Sequence, residues 1–135
     1  MTLEDIMICA RTVYGEARGE TLLSKRAVAH VMINRWRGTG GQWKRDHTLG
    51  AACLRWRQFS AWNANDPNRE KMQEVDLSSK SFRECLRAVL EALDARADPT
   101  HGATHYKTAA VNPRWARNKV SVVSIGSHEY FNNVR

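Results

Sequence analysis

The chain has 135 residues, of which 42% are hydrophobic and 26% are charged, and its formal net charge is +7. This length fits one domain, residues 1–135, that buries a core without disulfide or metal support. No apolar run is long enough to span a bilayer, which excludes a membrane-embedded protein, and the positive charge favours a polyanionic partner without naming it.

The first predicted element is a helix that begins after Thr2, a residue type suited to the N-cap position. Acids occupy its first turn, and its apolar stripe consists of Ile6, Cys9, Ala10 and Val13. We expect the helix to reach about Tyr14 or slightly beyond. Acids at Glu4 and Asp5 stand where a signal peptide carries basic residues, so we expect no classical export signal.

A second helix is predicted over residues 22–36, where strong helix formers carry a broad apolar face that ends before Gly38. Residues 37–50 combine glycines with charges and predict a surface loop. A third helix should be capped by Ser78 or Ser79 and be closed by Asp98 and Pro99. Its predicted core stripe is Phe82, Cys85, Leu86, Val89, Leu90 and Leu93.

Beyond Pro99, turn-forming residues surround one β-branched run at residues 120–125, for which we expect a short strand or hairpin. The elements together predict a mainly helical domain of the α+β class with a small C-terminal β-hairpin or strand.

Cysteine and histidine positions give no metal-binding pattern. Cys9, Cys53 and Cys85 match neither a zinc motif nor a redox pair, and we expect them to be buried thiols. His101 and His105 are four residues apart, but the proline and glycine around them disfavour a helix that would bring them together. We therefore expect no metal ion and no other cofactor.

The stretch YGEARGE at residues 14–20 places Glu16 and Glu20 beside two helix-weakening glycines. A helix ending here would put Glu16 near its last turn, where the negative end of the helix dipole favours a protonated carboxyl group. A neutral glutamic acid is what a general acid requires. The alternative is a solvated helix end with a weak local Glu–Arg pair.

Motifs along nearly the whole chain support the catalytic interpretation. GEARGE is followed in order by AVAHVMINR, FSAWN, GATHYKT, WAR and IGSHEYF. In these motifs the chain resembles the SleB-like cell-wall hydrolase family, which includes spore-cortex-lytic enzymes and phage and bacterial murein hydrolases. The resemblance implies a compact, lysozyme-like helical domain that cleaves peptidoglycan between N-acetylmuramic acid and N-acetylglucosamine. Members are regarded as lytic transglycosylases, and Glu16 is the expected catalytic acid.

Under this interpretation Glu16 acts first as acid and then as base, and the product is a 1,6-anhydro ring. A hydrolytic muramidase or glucosaminidase would need a second carboxylate. Glu20 is the nearby candidate, and we expect it to support the structure or orient the substrate. Arg18 is a candidate substrate-binding residue; if it paired with Glu16, it would lower the pKa of that carboxyl group.

Mixed aromatic and polar residues are candidates for sugar binding, because aromatic faces cover C–H surfaces while polar tips bind hydroxyl groups. In FSAWN they are Phe59, Ser60 and Trp62, although core packing is an equal alternative for the two aromatic residues. In the HYKT segment they are Tyr106, which the resemblance places on the substrate side, and Lys107.

Two functional hypotheses remain at this stage. The first is a monomeric peptidoglycan-degrading enzyme of the phage endolysin type. We expect such an enzyme to be made in the host or bacterial cytoplasm and to reach the wall after holin-type release. An anionic bacterial surface would attract it. The second is a nucleic-acid binder, suggested by cations interleaved with Trp36, Trp43 and Trp56. The sequence contains no recognised nucleic-acid-binding motif, and the acidic motif would have no role in a nucleic-acid binder. We therefore expect no specific nucleic-acid partner.

Overall fold

A computed structural model describes residues 1–38, 48–55 and 62–134. In this part of the chain, helices precede a small sheet. The helices are α1 (Leu3–Ala17), α2 (Leu22–Trp36), α3 (Leu49–Leu54), α4 (Asn68–Glu74) and α5 (Lys80–Asp94), and the strands are β1 (His105–Thr108), β2 (Val123–Ile125) and β3 (His128–Phe131). A 3-10 turn covers Arg114–Ala116. None of the described helices is long and apolar enough to cross a membrane.

Helix α1 begins with a reciprocal cap. The Thr2 hydroxyl accepts from the Asp5 backbone N–H at 3.1 Å, and the Asp5 carboxylate accepts from the Thr2 N–H at 3.0 Å. The second oxygen of Asp5 accepts from the Gly50 N–H at 3.1 Å, which joins α1 to α3. The predicted N-cap is confirmed, and it also fixes a tertiary contact.

The main core lies where α1, α2 and α5 pack together. Helix α2 is buried on most of its surface, whereas α5 is one-sided, with Phe82, Cys85 and Val89 fully buried. The predicted stripe of α5 was wrong at Leu90, which is 47% exposed because it lies on the outer face. The three thiols are free and buried, as predicted.

Strand order in the sheet is β1-β3-β2, and both pairs are antiparallel. Tyr106 of β1 lies opposite Tyr130 of β3, and Tyr130 packs against Ala27 and Val31 of α2. The sheet therefore covers α2 with one face. A mainly helical α+β domain with a C-terminal hairpin is confirmed, but the hairpin gains β1 as a third strand.

Several predicted boundaries were wrong. The loop predicted over residues 37–50 ends earlier, because the Thr48 hydroxyl accepts from the Ala51 N–H at 3.0 Å and starts α3; residues 39–47 lie outside the described part. Helix α5 has the predicted Ser79 cap but ends at Asp94, before the predicted stop. The β-branched run enters the sheet only at Val123, and Val120 is 83% exposed.

Candidate active site

A cleft of about 450 Å³ opens at the C-terminal end of α1, a size typical of ligand sites. It lies between that helix end, the start of α4, the end of β1 and the turn joining β2 to β3. Its lining residues are Gly15, Glu16, Ala17, Arg18, Gly19, Glu20, Asn68, Thr108, Ser127 and His128. The acidic motif thus forms one complete wall of the cleft.

Glu16 occupies the last turn of α1 and is partly buried. Burial raises the pKa of its carboxyl group from 4.5 to about 7, because desolvation disfavours the charged form. The negative charge of Asp66 raises this pKa further, while a hydrogen bond from Tyr106 and the positive charge of Arg35 lower it. Glu16 therefore carries a proton over much of the neutral range, as a general acid must.

Tyr106 reaches Glu16 from the sheet. Side chains alternate along β1, so Tyr106 and Thr108 face the helices, and the Tyr106 ring packs 4.8 Å from the His128 ring. Burial raises the pKa of the Tyr106 hydroxyl well above its usual value, so the hydroxyl stays protonated and donates to Glu16. Tyr106 therefore packs against the core beneath Glu16 rather than lining the cleft, with its hydroxyl committed to the acid.

Glu20 has a different environment from Glu16. One carboxylate oxygen accepts from the Ser127 backbone N–H at 3.1 Å and from the Ser127 hydroxyl at 2.9 Å. These bonds lower the pKa of Glu20, which is therefore ionised at neutral pH. Glu20 connects the start of α2 to the β2–β3 turn.

The turn residue Gly126 has a conformation and surroundings that strongly favour glycine. Its φ is +58°, a conformation that side chains disfavour, and an added Cβ would lie 2.7 Å from the Glu20 carboxylate and against the Ser24 hydroxyl. The glycine of IGSHEYF thus allows the hairpin to approach the acidic motif closely.

Two charged candidates make their described contacts with residues other than Glu16. Arg18 lines the cleft, but its guanidinium lies 5.3 Å from the centroid of the Tyr14 ring. Lys107 follows Tyr106 in the strand and points to the opposite face of the sheet, where it pairs with Glu129 at 2.8 Å. Strand alternation therefore places Lys107 on the opposite face of the sheet from Tyr106, and its role in substrate binding stays a prediction.

Trp62 acts as an anchor between segments. Its indole N–H donates to the Thr12 hydroxyl at 2.7 Å, and its ring packs on the main core. The position of Trp62 thus agrees with core packing, which was the alternative to sugar binding for this residue. The other two candidates of this motif, Phe59 and Ser60, lie outside the described residues, as do Trp43 and Trp56.

Several cleft residues were not predicted as site residues. Asn68 lines the cleft from a segment without any motif, so no sequence pattern marked it. The same holds for Asp66, two residues earlier, whose charge acts on Glu16. Ser127 and His128 belong to IGSHEYF, whose resemblance to the family was a usable signal. The His128 ring is buried in the cleft wall, and its Nδ1 has no hydrogen-bond partner among the described residues.

A partly buried acid with a pKa near 7, hydrogen-bonded by a tyrosine and open to a cleft, is the arrangement expected of a general acid–base site. Within the described ranges, no group of three or more His, Cys, Asp or Glu side chains could hold a metal ion.

Comparison with known families identifies the group to which this site belongs. Residues 19–131 match the Cell Wall Hydrolase family, and the chain belongs to that family. The family predicted from the motifs is thereby confirmed. The matched range includes Glu20 and begins three residues after Glu16.

Similar proteins include two curated spore cortex-lytic enzymes. That of Halalkalibacterium halodurans is 32% identical over 131 residues, which cover 95% of this chain and 34% of the relative. That of Bacillus cereus is 27% identical over 125 residues, which cover 92% of this chain and 42% of the relative. The chain therefore spans less than half the length of these relatives.

Solved structures agree with the fold. The catalytic domain of Bacillus cereus SleB has a TM-score of 0.75 at 27% identity, covering 96% of this chain and 91% of that one. The catalytic domain of the germination-specific lytic transglycosylase SleB from Bacillus anthracis has a TM-score of 0.73 at 27% identity, covering 96% and 95%. The similarity thus spans nearly the whole of each catalytic domain.

Proposed function

We propose that this chain cleaves the glycan strands of peptidoglycan between N-acetylmuramic acid and N-acetylglucosamine, as a lytic transglycosylase with Glu16 as its catalytic acid and base. The observation that carries the proposal is the carboxyl group of Glu16, which lies beside an open cleft and whose pKa of about 7 leaves a large protonated fraction near neutral pH. The similarity to the catalytic domain of a lytic transglycosylase supports the reaction class.

In the proposed first step Glu16 donates its proton to the glycosidic oxygen, and the bond from the anomeric carbon to that oxygen breaks with its electron pair leaving on the oxygen. Tyr106 donates a hydrogen bond to Glu16, which stabilises the carboxylate formed at this stage. In the second step the muramic C6 hydroxyl attacks the anomeric carbon and gives its proton to Glu16. The carboxyl group returns to its starting form.

Glu20 is not a nucleophile in this proposal. Its accepting oxygen is occupied by two Ser127 donors, and its carboxylate is ionised from the outset. We infer a supporting role, in which Glu20 holds the β2–β3 turn against the helix end that carries Glu16.

Mass spectrometry of the products released from purified peptidoglycan sacculi tests the reaction. We expect muropeptides that end in 1,6-anhydro-N-acetylmuramic acid, whereas reducing ends would show that water is the acceptor and that the enzyme is a hydrolase. Glu16→Gln should abolish release while preserving the fold. Glu74→Gln, the same change at an exposed position, is the matched control. A folded, fully active Glu16→Gln protein would contradict the assignment.

We also propose that the protein is an endolysin-type enzyme, which reaches the cell wall after release through a holin pore. It would bind the wall as a monomer. The net charge of +7 supports attraction to an anionic wall. Expression in a bacterium with and without a holin gene tests this, because lysis should require the pore. Since the relatives are spore cortex-lytic enzymes, spore cortex and vegetative sacculi should be compared as substrates. Exclusive cleavage of cortex would contradict the endolysin proposal and would favour a role in cortex lysis.

A further inference from the structure

A second cavity, here named the outer cavity, has a volume of about 680 Å³. Its lining includes Lys107, Glu129 and Phe131 from strands β1 and β3, together with residues 116–121, which lead from the 3-10 turn towards β2. These described residues are all absent from the lining of the cleft that contains Glu16. The outer cavity is therefore distinct from that cleft.

Strand alternation places the two cavities on opposite faces of the sheet. In the register of β1 and β3, Lys107 lies opposite Glu129, and the next pair joins Thr108 to His128. Lys107 and Glu129 line the outer cavity, whereas Thr108 and His128 line the cleft of Glu16. A ligand in the outer cavity therefore leaves that cleft accessible.

The WAR motif lies outside the cleft and holds the segment beside the outer cavity against the sheet. The ring of Trp115, which begins this motif, has its centroid 4.8 Å from that of the His105 ring and 5.2 Å from that of the Phe131 ring. Further along the segment, the Lys119 ammonium donates to the Asn133 carbonyl oxygen at 3.1 Å. These contacts fix the segment on the outer face of the sheet.

The outer cavity has an excess of positive charge. Three cationic side chains and one carboxylate line it, which gives a net charge of +2, and they are Lys107, Arg117, Lys119 and Glu129. Lys107 pairs with Glu129 at 2.8 Å, so the excess lies with the other two cations. Arg117 is exposed, and within the described part of the chain its guanidinium makes no hydrogen bond and no ion pair. A free guanidinium of this kind suits a carboxylate, which it binds through two parallel hydrogen bonds.

Apolar and neutral polar groups stand beside these charges. Val120 lines the outer cavity and is 83% exposed, and Ala116 adds a methyl group. Asn112, Asn118 and Ser121 add amide and hydroxyl groups, which hydrogen-bond peptide groups as well as water. The lining therefore matches a ligand that combines carboxylates with small apolar groups and amides better than it matches a plain phosphate polymer.

We propose that the outer cavity binds a short acidic peptide, whose carboxylates contact Arg117 and Lys119 and whose methyl groups contact Val120. The stem peptides of peptidoglycan have this chemistry, since they contain alanine and free carboxylates. Their assignment as the natural ligand rests on the proposed function; binding of an acidic peptide does not. In this proposal the protein holds the glycan strand at Glu16 and an uncleaved stem peptide of the wall on the other face of the sheet.

The test is an NMR titration of the nitrogen-labelled full chain with the synthetic tetrapeptide L-alanyl-γ-D-glutamyl-diaminopimelyl-D-alanine. We expect saturable shifts at the backbone N–H groups of residues 117–121 and Lys107, with a dissociation constant on the order of 1 mM. The same peptide with amidated carboxyl groups should bind much more weakly. No saturable shift at these groups would overturn the proposal. Inorganic phosphate binding there as tightly as the peptide would show a general anion site and overturn it as well.

Arg117→Gln keeps much of the side-chain length and removes the charge, so it should weaken peptide binding about fivefold. Arg117→Lys keeps the charge and should restore most of the affinity. The matched control is Arg114→Gln, an exposed arginine of the same 3-10 turn that does not line the outer cavity. Val120→Glu adds a negative charge at an exposed position and should also weaken binding, which provides a second variant if Arg117→Gln does not fold. Unchanged affinity in both variants would overturn the proposal.

Titration of Glu16→Gln separates this inference from the proposed function. The variant should bind the tetrapeptide as tightly as the wild type, because the outer cavity does not include Glu16. Peptide binding without any cleavage of sacculi would contradict the proposed function and support the outer cavity as a peptide site. Cleavage of sacculi without peptide binding would overturn this inference alone.

Discussion

Glu16 should make the protein less stable as the pH rises, because the fold raises the pKa of its carboxyl group from 4.5 to about 7. The folded state holds this proton more tightly than the unfolded chain does. Its contribution to stability is therefore complete below pH 4.5 and is lost as the pH rises through about 7. The shift corresponds to about 3 kcal/mol in the free energy of unfolding, which solvent in the open cleft reduces towards about 2 kcal/mol.

Glu16→Gln isolates this effect, because the amide has the shape of the acid, cannot ionise and still accepts from Tyr106. Urea unfolding of variant and wild type should give free energies within about 0.5 kcal/mol of each other at about pH 4, where Glu16 is mostly protonated in both states. At about pH 8 the variant should be more stable by about 2 kcal/mol. Other carboxyl groups titrate in both proteins, so the difference in unfolding free energy between variant and wild type reports on Glu16.

The control is Glu74→Gln at an exposed position, which should change stability by less than about 0.5 kcal/mol at either pH. A Glu16→Gln variant no more stable than the wild type at alkaline pH would refute the reasoning, since burial of the carboxyl group would then carry no energetic cost. A gain of the same size at both pH values would attribute the effect to packing rather than to ionisation.

Three further substitutions test the surroundings of the site. Tyr106→Phe removes a hydrogen bond that favours ionised Glu16, so the alkaline limb of the rate profile should move up and the free energy of unfolding should fall by about 1 kcal/mol. Gly126→Ala forces a methyl group against Glu20 at a positive φ, and a urea titration should show a loss of at least about 1 kcal/mol. Asp5→Asn weakens the cap of α1, where hydrogen bonds lower the pKa of the acid; it should cost about 1 kcal/mol at neutral pH, with the difference shrinking as the pH falls below 3.8.

The helices could be predicted because their signals are local. The bounds of α2 and the Ser79 cap of α5 follow from apolar periodicity and capping residues within each segment. Strand β1 carries no such signal, since its four residues form a strand only by pairing with β3, which follows more than twenty residues later. Tertiary pairing of this kind is invisible to a local pattern.

The same distinction applies to the site. Glu16 and Glu20 are marked by one compact motif, but Ser127, which holds Glu20, is 107 residues away along the chain. The separation of Tyr106 from Lys107 follows from strand alternation as soon as β1 is known. Asp66, whose negative charge also raises the pKa of Glu16, stands in no recognised motif.

The properties of Glu16 therefore arise from parts of the chain that fold around it rather than from its own helix. Burial has the largest effect on the pKa, and the groups that act on it next belong to other elements of the fold. Tyr106 from β1 and Asp66 from the segment before α4 act on this pKa in opposite directions. Burial outweighs both effects, and the resulting pKa of about 7 lies where one carboxyl group can both give and take a proton.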